Sequence, residues 1–231
     1  MSQNFARFGK NAPLTPDLSP EVLFSPEALH RAWRMTRANG ESPGVDRVSL
    51  PRFEARLDQE LRILRRELID GSYKPQGVQR YYKTKASGKK RALSIWAVRD
   101  RVAQRVILEH ITPMLESLYL SCSFGFRPGR TVGDALAMAR QALTRGKCWI
   151  VDADISDCFD SIPVPPLMKR VREAIPTVRA HELIELWLTA PVLDGTRGAL
   201  PTVAGVSQGS VISPQLTNLY LHTFDRAITT L

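Results

Sequence analysis

The sequence contains no apolar run long enough to cross a bilayer, no hydrophobic core near its N-terminus and no C-x-x-C pair. The first two absences argue against an integral helical membrane protein and against a secretory leader. Cys122, Cys148 and Cys158 are odd in number and scattered, so neither a disulfide framework nor a structural zinc site is expected. A reduced, cytoplasmic setting with no membrane partner is the expectation. Internal repeats and low-complexity tracts are also lacking. What remains is ordinary for a folded chain: 231 residues, 43% hydrophobic and 24% charged.

Acidic charge is scarce in one region. The net charge is +9, and residues 62–105 carry thirteen Lys or Arg against Glu67, Asp70 and Asp100. That segment is strongly basic and the rest of the chain is near neutral. A concentrated cationic block suits a polyanion such as nucleic acid or a nucleoside triphosphate. Tyr73, Tyr81, Tyr82 and Trp96 interleave with these cations and offer faces for base stacking. The plainer reading, a solvated face that aids solubility, remains open on charge alone.

The first 24 residues read as a polar, proline-punctuated, flexible arm. Ser25-Pro26-Glu27 then starts a helix that ends near Asn39-Gly40. A second helix is expected from about Ser49 to Asp70-Gly71, with Phe53, Leu57, Leu61, Leu64 and Leu68 on its apolar face. VQRYYKTKASGKKRALSI reads as a basic hairpin turning at Ala86-Ser87-Gly88. Helices follow over 99–116, with Arg101 and Arg105 outward, and over 131–144. CWIVDADI, residues 148–155, reads as a buried strand with Asp152 and Asp154 on one face. Further helices are expected near 164–174, 181–190 and 211–228, with a Gly-rich hairpin between the last two.

Four aspartates stand close together in WIVDADISDCFDSI: Asp152, Asp154, Asp157 and Asp160. A carboxylate at the end of a buried strand is costly unless paired or bound to a cation. Mg²⁺, with its preference for hard oxygen ligands, is the natural cation for phosphoryl chemistry. On the residues alone, Asp154 stands evenly between metal ligand and solvated acid. GVSQGSVISPQLTNLYL, residues 205–221, adds two glycines around Gln208, followed by a Ser-Pro helix start.

Five blocks in order make the chain resemble the group II intron-type reverse transcriptases. These are NGESPGVDRVSL with LIDGSYKPQGVQR, then KTKASGKKRALSIWAVRDRVAQRVI, SFGFRPGR, VDADISDCFDSI and GVSQGSVISPQLTNLYLHTFD. The resemblance implies an α+β fold: a helical N-terminal and fingers region over 25–147, then an antiparallel palm sheet backed by helices over 148–231. It implies an RNA-directed DNA polymerase that joins a dNTP to a primer 3′-hydroxyl on an RNA template, using two Mg²⁺ ions. By that resemblance Asp154 and the Ile155 carbonyl are metal ligands. Lys85 and Arg91 clamp the triphosphate, Phe159 is the steric gate against a ribose 2′-hydroxyl, and Gln208 with Gly209 contacts the nucleotide. Arg62, Arg65, Arg66, Lys83, Lys89, Lys90, Arg99, Arg101, Arg105, Arg127 and Arg130 are the candidate cations for the RNA template and the DNA or RNA primer.

Departures from the family pattern are Ala92, Trp96 and Ser207, each where proline is usual, together with Gln215 and Thr217. No Asp-Asp pair occurs anywhere, although the resemblance implies a second palm motif, Tyr-x-Asp-Asp, followed by a thumb. The expectation is therefore a partial palm with little activity alone, either truncated or one part of a split enzyme in which a separate chain carries the rest of palm and thumb. The alternative is a non-catalytic RNA-binding or scaffold protein that kept the fingers surface.

Overall fold

The computed structural model describes residues 19–39, 42–84, 88, 90–194, 198–200 and 205–230. The first helices are built on capped, amphipathic segments. A short α1 (Pro20–Leu23) leads into α2 (Pro26–Ala38), where the Ser25 hydroxyl accepts the Ala28 N–H at 3.3 Å. Leu23 and Phe24 are buried, so the last residues of the expected N-terminal arm belong to the folded body; residues 1–18 lie outside the description. The single helix expected over 49–70 is two helices, α3 (Leu50–Glu54) and α4 (Leu57–Asp70). Arg56 leaves helical geometry between them. The break lets α3 turn Phe53 onto Trp33, with ring centroids 5.1 Å apart, while α4 buries Leu61, Leu64 and Leu68. Gly71 ends α4 with φ 85°, the left-handed cap that glycine takes without strain.

The basic hairpin forms as expected from β1 (Val78–Thr84) and β2 (Lys90–Trp96), paired antiparallel from Val78↔Trp96 to Thr84↔Lys90. Its turn at Ala86-Ser87 lies outside the described residues. Then α5 (Val98–Glu116) runs through the core, burying Val102, Val106, Ile107, Ile111 and Leu115. It also buries Asp100, Arg101 and Gln104. Tyr73 donates its hydroxyl to Asp100 at 2.6 Å, the Gln76 N–H bonds the other carboxylate oxygen at 3.0 Å, and Trp187 Nε1 donates to Tyr73 at 3.0 Å. This network ties α5 to the 71–77 connection and to a later helix. Burial outweighs both hydrogen bonds and pushes the Asp100 carboxyl up to about 6.

The second half adds α6 (Val132–Thr144), α7 (Cys158–Ser161), α8 (Val164–Ala174), α9 (Val178–Leu188), β3 (Val192–Asp194), β4 (Gly198–Leu200) and α10 (Ser213–Thr229). Helices α8, α9 and α10 bury Leu167, Met168, Val171, Leu183, Ile184, Leu216 and Leu219 against α5 and one another. The sheet order is β2-β1-β3-β4; β1 pairs parallel with β3, and the other two pairings are antiparallel. The α+β class and the Gly-rich hairpin are as expected, and the sheet is mixed.

The strand expected over 148–155 does not form. Residues 147–155 are irregular, and Trp149, Ile150 and Val151 are 95%, 77% and 92% exposed. Its β-branched composition favours a strand, but a strand needs a paired neighbour and a covered face. Among the described residues neither is offered. Helix α6 shares this condition. A full capping box between Thr131 and Asp134 starts it well, yet it buries no residue.

Candidate nucleotide and nucleic-acid site

Three segments converge around Gly205–Ser210. The Val206 N–H donates to the Phe159 carbonyl at 2.6 Å, and the Gly205 N–H to the Ile162 carbonyl at 3.0 Å. On the other side, the Ser94 N–H of β2 donates to the Gln208 carbonyl at 2.7 Å. Gly205 (φ 97°) faces the Asp160 backbone and Gly209 (φ 109°) faces the Ser94 carbonyl, each too closely for any side chain. The Ser213 hydroxyl donates to the Ser207 carbonyl at 2.8 Å, fixing the turn to the start of α10.

Phe159 is partly buried against the core, and its ring meets Phe126 edge-on at 6.5 Å between centroids. The structure thus brings Phe159, Gln208 and Gly209 together beside β2. Lys85 and Lys89 lie outside the described residues. Arg91, Lys83 and Lys90 are in the hairpin ladder, with their side chains outside the description.

Asp154 and Ile155 are exposed, in the irregular segment before α7. The Asp154 charge acts on Cys158, whose thiol is pushed up first by burial and then by that carboxylate. Asp160 is raised by burial, against the pull of Arg80. Among the described residues no group of three or more His, Cys, Asp or Glu is placed to hold a metal ion. Asp154 offers one carboxylate where a Mg²⁺ pair needs several hard oxygens, so the described residues do not assemble a complete site.

The eight candidate cations whose side chains are described divide by burial. Arg62, Arg66 and Arg130 are exposed, and the Arg130 guanidinium lies 5.6 Å over the Phe124 ring. Arg65 donates Nε to the Phe24 carbonyl at 2.9 Å, and Arg99 pairs with Glu67 over the Tyr73 ring. Arg105 is half-buried. Arg101 and Arg127 are corrections: they are 4% and 8% exposed. Arg101 donates to the Ser42 carbonyl at 3.2 Å, and its expected outward face is in fact turned into the core. Arg127 forks onto Glu116 and donates to the Leu120 and Ser123 carbonyls at 2.7 and 2.8 Å. Both cations hold the protein together and are withdrawn from a nucleic-acid path.

Gln104 escaped the sequence reading. Its buried carbonyl oxygen accepts the Ser210 hydroxyl at 3.0 Å and the Val211 N–H at 3.1 Å, anchoring the far end of the glycine turn. The available signal was an amide on the inward face of α5, between Ala103 and Val106. Gln215 and Asn218 likewise hold the 124–130 loop by donating to the Phe126 and Gly125 carbonyls at 3.1 and 2.8 Å. The bond to Phe126, with the Tyr119 hydroxyl that donates to Gln215 Oε1 at 3.1 Å, gives the departure at Gln215 a structural reason.

Residues 82–231 match the family model described as Reverse transcriptase (RNA-dependent DNA polymerase). The chain is 39% identical over 213 residues to Protein YkfC of Escherichia coli (strain K12), covering 89% of this chain and 55% of that protein. It is 34% identical over 175 residues to the group II intron-encoded protein LtrA of Lactococcus lactis subsp. cremoris, covering 74% of this chain and 28% of that one. The chain thus spans about half or less of the length of these relatives. Among solved structures, a partial Cas6-RT-Cas1–Cas2 complex superposes with a TM-score of 0.60 at 22% identity, covering 91% of this chain and 35% of the other. No described helix is long and apolar enough to cross a membrane. With the family model spanning well over half of its residues, this chain belongs to the reverse transcriptases, in the company of group II intron-encoded proteins.

Proposed function

We propose that the chain is the fingers and first part of the palm of an RNA-directed DNA polymerase. It would bind an RNA template, a DNA or RNA primer and a dNTP, and would complete its catalytic centre with carboxylates from further polypeptide. The observation that carries this reading is the junction of Phe159, the Gly205–Ser210 turn and β2. It sets an aromatic ring and a glycine-lined backbone next to the basic hairpin, a combination suited to a sugar, its base and a triphosphate. Phe159 is assigned as the sugar gate, Gln208 and Gly209 as nucleotide contacts, and Lys85 and Arg91 as triphosphate clamps. Arg62, Arg66 and Arg130 provide exposed charge for the nucleic-acid backbone.

Asp154 is assigned as one Mg²⁺ ligand, together with the Ile155 carbonyl, and it needs further carboxylates beside it. Residues 148–155 are where a completing polypeptide would add, because their strand-forming sequence has no strand beside it among the described residues and leaves Trp149 and Val151 uncovered. Helix α6 offers Val132, Leu136 and Leu143 to the same cover. The test is primer extension on poly(rA) with oligo(dT), dTTP and Mg²⁺, with and without a second polypeptide carrying a Tyr-x-Asp-Asp hairpin and thumb. Extension that depends on the second polypeptide and is lost in Asp154→Ala is the expected result. Extension surviving Asp154→Ala would sink the metal assignment.

A second reading, a non-catalytic RNA-binding protein, draws support from one observation: Asp154 lies exposed in an irregular segment. It predicts salt-sensitive RNA binding and no extension with any added palm.

A further inference from the structure

Phe126 stands in a backbone conformation that bulky side chains avoid. Its φ is 55°, in the left-handed region, and the residue is 67% exposed. Strain of this kind persists only where the surroundings impose it. Here they do so through bonds to the backbone of the loop. Gln215 Nε2 donates to the Phe126 carbonyl at 3.1 Å, and Asn218 Nδ2 to the Gly125 carbonyl at 2.8 Å. Arg127, next in the chain, forks onto Glu116 and donates to the Leu120 and Ser123 carbonyls. None of these bonds uses the Phe126 ring. Beside that residue a cavity of about 540 Å³ opens, with Met35, Leu108 and Pro214 in its wall. The loop therefore holds Phe126 out under strain, and the ring it meets is Phe159, at 6.5 Å between centroids and 85° between planes.

Phe159 needs such support. It lies in α7, a single turn of four residues that closely follows the irregular 147–155 segment. The bond from the Val206 N–H fixes its carbonyl and leaves the direction of the ring to side-chain packing. An edge-on neighbour favours one relative orientation, because the positive edge of one ring meets the negative face of the other. We propose that Phe126 is a positioning residue for sugar selection. It braces the Phe159 ring against turning away from the sugar and acts on the nucleotide only through that ring. The inference rests on the assignment of Phe159 as the sugar gate, and the two fail separately.

The whole chain is assayed with the completing palm and thumb polypeptide on poly(rA), and kcat/KM is measured for dTTP and for UTP. Phe126→Gly relieves the strain and removes the brace. It is expected to lower the dTTP-to-UTP ratio by about two- to tenfold, the range an aromatic pair of this geometry is worth, chiefly through a lower KM for UTP. Phe126→Tyr keeps the pair and is expected to keep the ratio. In a Phe159→Val background, Phe126→Gly is expected to have no further effect, because it acts through that ring. An unchanged ratio in Phe126→Gly, or the same loss in both backgrounds, overturns the brace and leaves the gate standing. An unchanged ratio in Phe159→Val overturns the gate assignment and the brace with it. NMR relaxation of the Phe159 ring carbons tests the contact on the chain alone, even if no mixture extends the primer. Faster ring motion in Phe126→Gly is expected there, and unchanged motion overturns the brace.

Discussion

The Asp160 backbone lies 2.8 Å from where a Cβ on Gly205 would stand, so the helical turn after the aspartate cluster and the glycine turn are packed backbone to backbone. Neither backbone can yield without disturbing the bonds from Gly205 and Val206 to Ile162 and Phe159. Gly205→Ala is expected to cost about 2–4 kcal/mol, from positive φ and overpacking together. Urea unfolding measures it, and an unchanged midpoint would show that the turn tolerates a side chain.

Asp100 makes stability depend on pH in an unusual direction for a carboxylate. Its folded-state value of about 6 lies above the ordinary aspartate range, so the native state holds the proton more tightly. Stability is therefore greatest at the acid side of this window and falls as pH rises from about 4 to about 6, by on the order of 3 kcal/mol from this group. Asp100→Asn is expected to flatten that part of the profile. A wild-type profile that rises with pH there, with Asp100→Asn unchanged in slope, would refute the assignment.

Arg127 is expected to behave as an internal strut. Arg127→Ala leaves Glu116 without its fork and two loop carbonyls unmet, at a cost of about 3–5 kcal/mol. Arg127→Lys cannot reproduce the fork and is expected to recover only part. Thermal unfolding reads both. A Tm within a degree of wild type for Arg127→Ala would return this residue to the set of surface cations.

Exposed arginines should act through charge alone. Replacing Arg62 and Arg66 by Ala is expected to lower the salt slope of RNA binding by roughly 0.7 for each phosphate no longer neutralised, with little change in unfolding midpoint. A slope identical to wild type would remove that face of α4 from the nucleic-acid path.

Trp149 offers an optical test of the uncovered segment. At 95% exposure its emission should be red-shifted and fully open to acrylamide. Trp149→Ser is expected to change stability by under about 0.5 kcal/mol, and to weaken capture of a completing palm polypeptide. Shielded emission in the isolated chain would contradict the exposed segment.

Local chemistry made much of this molecule legible in advance. Ser25-Pro26, Gly71 and the alternation through VQRYYKTKASGKKRALSI carry their structural meaning within a few residues, and those elements stand where expected. The aspartate segment failed for a reason that local pattern does not contain. Whether WIVDAD becomes a strand depends on a neighbour elsewhere in space, and the described residues supply none. Arg101 and Arg127 misled for a related reason: a cation reads as surface charge until its partners, Ser42 and Glu116, are seen. The glycines of GVSQG allow a backbone to come close, and only the fold shows that Asp160 and Ser94 are what they approach.

The parallel pairing of Val78 with Val192 has a bearing on how the chain is made. About a hundred residues separate these partners, so a chain emerging from the ribosome holds β1 without its second neighbour until most of these residues have been synthesised. For that interval one edge of the hairpin stays open, and the strand's basic sequence, Arg80 included, supplies repulsion that discourages a second nascent chain from pairing there. The same cations that suit a polyanion would then also act earlier, as guards against aggregation during synthesis.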